Sequence, residues 1–248
     1  MKLITNIHMD LAYRTNKTVV ESLANEINAQ EVRTYKACKT EYKNMIRPFV
    51  LPIEGIVKGD ALKDDYFPIF QKGGKPYDIF ISHSHNNESE AILLAAWVEK
   101  RFPGMKCFVD SYAWGSADQL LKEIDDKYCL RHHKKTYDYK KRNFTTSHVH
   151  AILSMSLLDI IDSSKYCIFI ESRESISLSN GLTKKTFSPW LYEEIRFMKL
   201  LQPRRRVKLY SEAVDSKKTF RCEYDVSALA SFPFLDKDGL ELLGTKVL

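Results

Sequence analysis

The segment TFSPWLYEEIRFMKLL, residues 186 to 201, sets two carboxylates side by side in a stretch of helical periodicity. Ser188 suits an N-cap and Pro189 a first helical turn, where its missing N–H is not needed, so the spacing predicts a helix starting there. At about 100° per residue, Trp190, Leu191, Ile195, Met198 and Leu201 share one arc, with Arg196 and Lys199 opposite. Glu193 projects with the polar side, whereas Glu194 projects into the apolar arc one turn after Trp190. An unpartnered buried charge is too unfavourable to keep, so Glu194 is expected to be paired, protonated or used in chemistry. The plainer alternative is a structural carboxylate held by a buried Arg or by a helix start.

Further polar side chains sit where apolar runs end. YDIFIS (77 to 82) runs into HSHNNE, which presents Ser82, His83 and Ser84, and MKCFVD (105 to 110) ends at Asp110, a few residues before Trp114. Both runs read as short buried strands, and each leads into a helical pattern: SEAILLAAWVEKRF after the first, ADQLLKEIDDKY after the second. Ser116 with Gln119 forms a capping-box signal for the latter helix. Glu123, Asp125 and Asp126 read as its exposed face. Downstream, VHAILSMSLLDIID leads into the apolar strand YCIFIES (166 to 172), and RRVKLY (205 to 210) and TFRCEYDV (219 to 226) read as later strands.

Apolar strands alternating with amphipathic helices are the pattern of a doubly wound α/β sheet buried on both faces. In such a sheet, ligands bind outside the carboxyl ends of the strands, where strand order reverses. With a flavodoxin-like order, Ser82, His83 and Ser84, Asp110 to Trp114, and Glu194 converge on one crevice. Residues 1 to 70 read as a mostly helical extension, with Thr18 and Glu21 as a capping box, and FQKGGKP (70 to 76) is a turn-rich boundary before a domain spanning 77 to 248. A basic, His-rich stretch from 129 to 147 reads as a solvated insertion.

Composition excludes several classes. The 248 residues carry a net charge of +6, much of it in RHHKKTYDYKKR (131 to 142) and RRRVK (204 to 208), and no aromatic-interleaved groove accompanies them, so no nucleic-acid partner is expected. No run reaches about eighteen uninterrupted apolar residues, so no membrane partner is expected either. The five cysteines occur singly, as in a reducing compartment, and a cytoplasmic location is expected. Cys129, His132, His133, His148 and His150 match no standard zinc spacing, and no metal is expected. The first strand is not followed by G-x-G-x-x-G, which disfavours a Rossmann dehydrogenase.

YDIFISHS, CFVD with its following loop, IIDSSKYCIFIES and SPWLYEEI, in this order, resemble the successive motifs of the Toll/interleukin-1 receptor (TIR) domain family over roughly residues 77 to 226. The resemblance is nearest to soluble bacterial TIR proteins of antiphage defence of the Thoeris type. It implies a flavodoxin-like fold with a five-stranded parallel sheet. It also implies an enzyme that cleaves NAD at the nicotinamide–ribose bond, with Glu194 as the catalytic glutamate and NAD as substrate rather than cofactor. Ser82, His83 and Ser84 would then line the ribose or phosphate side, Asp110 and Trp114 the nicotinamide or adenine end, and Trp190 would wall the site. The implied partners are further copies of the chain, through TIR surfaces, and a separate effector responding to a nucleotide product. The alternative implied by the same family is a non-catalytic TIR assembly module.

Overall fold

The computed structural model describes residues 12–45, 57–71, 74–114, 117–131, 136–179, 183–201 and 224–245. Four strands, β1 (Ala12–Asn16), β2 (Ile79–Ser82), β3 (Cys107–Phe108) and β4 (Tyr166–Glu171), form a parallel sheet in the order β1-β4-β2-β3. The strand alternation divides the core between two faces. Ile79, Ile81, Ile168 and Ile170 pack on one, with α1 (Lys17–Ser22), α2 (Ala29–Met45) and α4 (Glu88–Arg101) contributing Val20, Tyr35 and Trp97. Phe80, Cys167 and Phe169 pack on the other. There α3 (Gly59–Tyr66) contributes Leu62, α5 (Asp110–Ala113) Ala113 and α6 (Ala117–Tyr128) Leu120, while α7 (Tyr139–Ser163) and α8 (Pro189–Leu201) contribute Leu157 and Ile195. The result is a mixed α/β fold with helices on both faces of a parallel sheet, compatible with the flavodoxin-like expectation.

The path of the chain creates a crevice. From β2 it crosses through α4 to β3 on one side, then returns through α6 and α7 to β4 on the other side of β2. Strand order therefore reverses between β2 and β4, and their carboxyl ends diverge into loops.

Several expectations from the sequence are corrected. Residues 12–16 are not part of a helical appendage. They form the edge strand β1, paired in parallel with β4 from Ala12 opposite Cys167 to Asn16 opposite Glu171. Only five residues long, with Arg14 and Asn16 interrupting its apolar side chains, β1 carries too little periodicity to register as a strand. Among the described residues its other edge takes up a bridge between Arg14 and Phe234, and Thr15 Oγ donates to the Leu235 carbonyl at 2.9 Å. Side-chain contacts also join the segments on either side of the stretch 70 to 76. Trp97 Nε1 of α4 donates to Glu26 Oε2 at 2.8 Å, and Lys63 of α3 pairs with Asp159 of α7 at 2.5 Å.

The cap of α1 is Asn16, whose side chain accepts from Val19 N at 2.9 Å, not Thr18. Among the described residues the parallel sheet has four strands rather than five. The segment 205 to 210 lies outside the described residues, as do His132, His133, Gly115 and Ser116. Of residues 219 to 226, Tyr224–Asp225 form β7 in a separate antiparallel sheet with β5 (Ser177–Ser179) and β6 (Thr183–Thr186).

The second part of the basic insertion, from residue 139 on, is helix. α7 begins at Tyr139, capped by Asp138 accepting from Lys141 N, and runs 25 residues into the core. Asp125 was expected on the exposed face of α6 but is 2% exposed, because Arg142 Nε and Thr145 Oγ of α7 donate to it at 2.8 and 2.6 Å. This carboxylate ties α6 to the start of α7. Asp125→Ala removes the buried acceptor of the half-exposed Arg142 side chain and of the Thr145 hydroxyl and is expected to lower the unfolding free energy by about 1.5 kcal/mol in urea denaturation. A loss under about 0.5 kcal/mol, the range of ordinary surface substitutions, would contradict that anchoring role.

Candidate active site

Parity along β2 aims one polar side chain at α8. Phe80 and Ser82 share the face that α8 covers, and Ser82 Oγ donates to Glu194 Oε2 at 2.5 Å. Ser188 Oγ accepts from Leu191 N at 3.3 Å, so the expected cap forms and fixes the phase in which Leu191, Glu194, Ile195 and Met198 are buried. Glu194 is 4% exposed. Its neighbour Glu193 is half-buried and accepts from Ser154 Oγ of α7 at 2.8 Å. Trp190, expected within the buried arc, is partly exposed and meets His150 edge-on, with ring centroids 5.1 Å apart.

These elements enclose a cleft of about 870 Å³ at the carboxyl ends of the strands, a size suited to a sizeable small molecule. Glu194 lines it together with His83, Ser84, Asp110, Trp114 and Trp190; Ser82 stands behind, in contact with Glu194. His83 Nδ1 lies 3.3 Å from the Ile81 carbonyl, a contact satisfied when that nitrogen carries the proton, and Nε2 then faces Asp110 Oδ1 at 3.7 Å. Trp114 is committed to the core. Its indole N–H donates to the Pro68 carbonyl at 2.9 Å and its ring packs edge-on against Phe67 and Phe108, so it offers the cleft a wall and no free donor.

Sequence reasoning missed the β4 side of the site. Ser172 follows the strand and Arg173, Ser175 and Ile176 line the cleft, with Thr186 and Phe187 closing it from the end of β6. Ser84 and Ser172 both donate to Asn87 Oδ1, at 2.7 and 2.5 Å, so the loops after β2 and β4 share one buried amide as a tie. The same rule that singled out the ends of the first two strands applies to SRES after the third. Arg173 was therefore accessible to that reasoning. The partnership of Asn87 with Ser172, 85 residues apart, was not.

Charge in the cleft is predominantly acidic. Among the described residues Glu88, Asp110, Asp118, Glu174 and Glu194 line it, against a single guanidinium, Arg173. Burial raises the Glu194 carboxyl well above its ordinary value, the nearby Asp110 charge adds to that rise, and the Ser82 hydrogen bond opposes it. The free site thus holds Glu194 as an acid over a range in which an exposed glutamate is ionised, and it favours a ligand that brings a positive charge. Among the described residues, no three His, Cys, Asp or Glu side chains are grouped to hold a metal ion.

In comparisons with protein-family models, with curated proteins and with solved structures, nothing matches this chain.

The raised carboxyl makes stability depend on pH with a definite sign. Below the ordinary value of 4.5, native and unfolded states both hold the proton and Glu194 contributes nothing. Above it, the unfolded chain releases the proton while the native site keeps it, so stability falls as pH rises until the native carboxyl ionises as well. Glu194→Gln removes this penalty, so the variant is expected to unfold at a higher temperature than wild type at pH 7, by roughly 2–4 °C, and at an equal temperature near pH 4. A pH-independent difference, or a less stable variant at pH 7, would contradict the protonated state.

Proposed function

We propose that the chain is a TIR-like enzyme that breaks the nicotinamide–ribose bond of NAD, with Glu194 as the catalytic carboxylate. The observation that carries this reading is a buried glutamate of raised pKa, hydrogen-bonded by Ser82, at the base of an acid-lined cleft beyond the carboxyl ends of β2 and β4. On this reading the sheet is the flavodoxin-like one of the family.

The chemistry asks little of the protein. The pyridinium of NAD already carries a positive charge, so nicotinamide departs as a neutral molecule with the bonding electron pair, and no second carboxyl is needed to protonate it. The bound cation favours the ionised form of Glu194. As the C–N bond lengthens, positive charge moves onto the ribose ring, and the carboxylate stabilises it in a setting from which Trp190 and Leu191 exclude much of the water. Water adding to the ribose carbon and losing a proton gives ADP-ribose; capture by a nitrogen of the adenine gives a cyclic product. Arg173 is suited to the diphosphate at the rim. The product would then serve as a signal to a separate effector.

Incubating concentrated protein with NAD and following free nicotinamide by chromatography tests this directly, with Glu194→Gln expected to lose at least about 10²-fold in rate while remaining folded. No release from wild type would favour a non-catalytic assembly module, and equal release from both proteins would refute Glu194 as the catalytic carboxylate. The pH profile carries a finer test. Ser82 favours the ionised carboxylate and Asp110 opposes it. Ser82→Ala should therefore move the acidic limb of kcat/KM to higher pH and Asp110→Asn to lower pH. Shifts of the same sign in both variants would refute the assignment of that limb to Glu194.

A further inference from the structure

α7 presents an unusual outer face. Its Leu153 and Leu157 line the cleft and Ile160 and Ile161 enter the core, yet Phe144 and Met155 on the opposite side are 67% and 51% exposed. Phe144, His148, Ala151, Met155, Leu158 and Asp162 follow one another at steps of four, three, four, three and four residues, the spacing of a seam between two helices. Every one of them is at least partly exposed. Phe144 and His148 pack against each other edge-on at 4.4 Å, which gives the strip a defined surface at one end, and Ala151 at its middle leaves room for close approach of another helix.

The charges along the same helix say which partner fits. Lys140 and Lys141 are exposed at its amino end and Asp162 at its carboxyl end, about 33 Å away and too far apart to pair within one helix. Asp159 is already held by Lys63. A second copy laid antiparallel across Ala151 brings the basic end of each helix over the acidic end of the other, and the Phe144 end of one seam over the Leu158 end of its mate. A parallel copy would instead set lysines against lysines. Antiparallel packing of identical faces is the isologous, closed arrangement expected of a two-fold dimer.

We propose that two copies of the chain associate through this α7 face, antiparallel, about a two-fold axis near Ala151. The proposal gives a place to the self-association expected of the family and does not depend on the reaction in the cleft. It does bear on it, since the same helix supplies Leu153 and Leu157 to the cleft wall, Ser154 to Glu193 and His150 to Trp190.

The test is sedimentation equilibrium of the full chain over a concentration series, with circular dichroism to confirm folding. Wild type is expected to form a dimer. Ala151→Glu, at an exposed position where the fold tolerates it, is expected to weaken association by at least about tenfold. Reversing the charges at one end only, Lys140→Glu with Lys141→Glu, should weaken the dimer. Adding Asp162→Lys to the same chain should restore it, because an antiparallel mate then offers lysine to the new glutamates, whereas a parallel mate would not. A monomer at every concentration would overturn the proposal, as would a dimer indifferent to Ala151→Glu or a triple variant no stronger than the double. α7 is also long and apolar enough by composition to cross a bilayer. Monomeric wild-type protein that co-sediments with neutral phosphatidylcholine vesicles, and fails to do so as Ala151→Glu, would assign the strip to a lipid surface and overturn the dimer.

Discussion

The hydrogen bond from Ser82 to Glu194 is the contact around which the candidate site is organised. It joins the end of a central strand to the second turn of α8, across the face of the sheet that α6 and α7 also cover. A carboxyl 4% exposed in such a place is unfavourable for the fold, and among the described residues no cation pairs with this one. Its ionisation is held back by burial, by Asp110 and by Glu193, and is promoted by the Ser82 hydroxyl. An isolated helix would place a leucine here. Retaining a glutamate makes physical sense if something else, arriving in the cleft, supplies the missing positive charge.

The remaining structure can be understood as what keeps that arrangement in register. The Ser188 cap sets the rotation of α8, Ser154 holds the neighbouring Glu193, and the Asn87 amide ties the loops after β2 and β4 that form the two lips of the crevice. Glu171 at the end of β4 binds Lys184 of β6 at 2.5 Å and Arg14 of β1 at 3.3 Å, so the hairpin carrying Thr186 and Phe187 is fastened to the sheet it overhangs. These ties are polar, and most lie near the end of a strand or helix. The apolar layers beneath supply rigidity, and the polar ties supply position.

Much of the architecture was legible in the sequence because its strands are apolar runs and its helices amphipathic. The phase of α8, and with it the burial of Glu194, followed from helical geometry alone. What escaped sequence reasoning depended on partners remote in the chain. β1 is recognisable only through its pairing with β4, since AYRTN has neither an apolar run nor a clean alternation. Asp125 looked solvent-facing because nothing in ADQLLKEIDDKY reveals that Arg142 and Thr145 will stand over it. The stretch from 139 to 147 read as an insertion because Lys140, Lys141 and Arg142 mask a helix whose buried residues begin only at Val149. Trp114 lines the cleft as its place near a strand end suggested, but nothing in the local sequence reveals that its indole N–H is held by Pro68 and its ring by an aromatic cluster.

The central claim is that Glu194 is protonated in the free cleft and ionises when a cation occupies it. Carbon-detected NMR of protein labelled at the glutamate carboxyl carbon, with Glu194→Gln to assign the resonance, reads that titration directly. The account predicts an apparent pKa well above the ordinary 4.5 in the free protein, falling when a non-cleavable pyridinium analogue of NAD is bound. A Glu194 that titrates like an exposed glutamate in the free protein, or whose titration the bound analogue leaves unmoved, would contradict it.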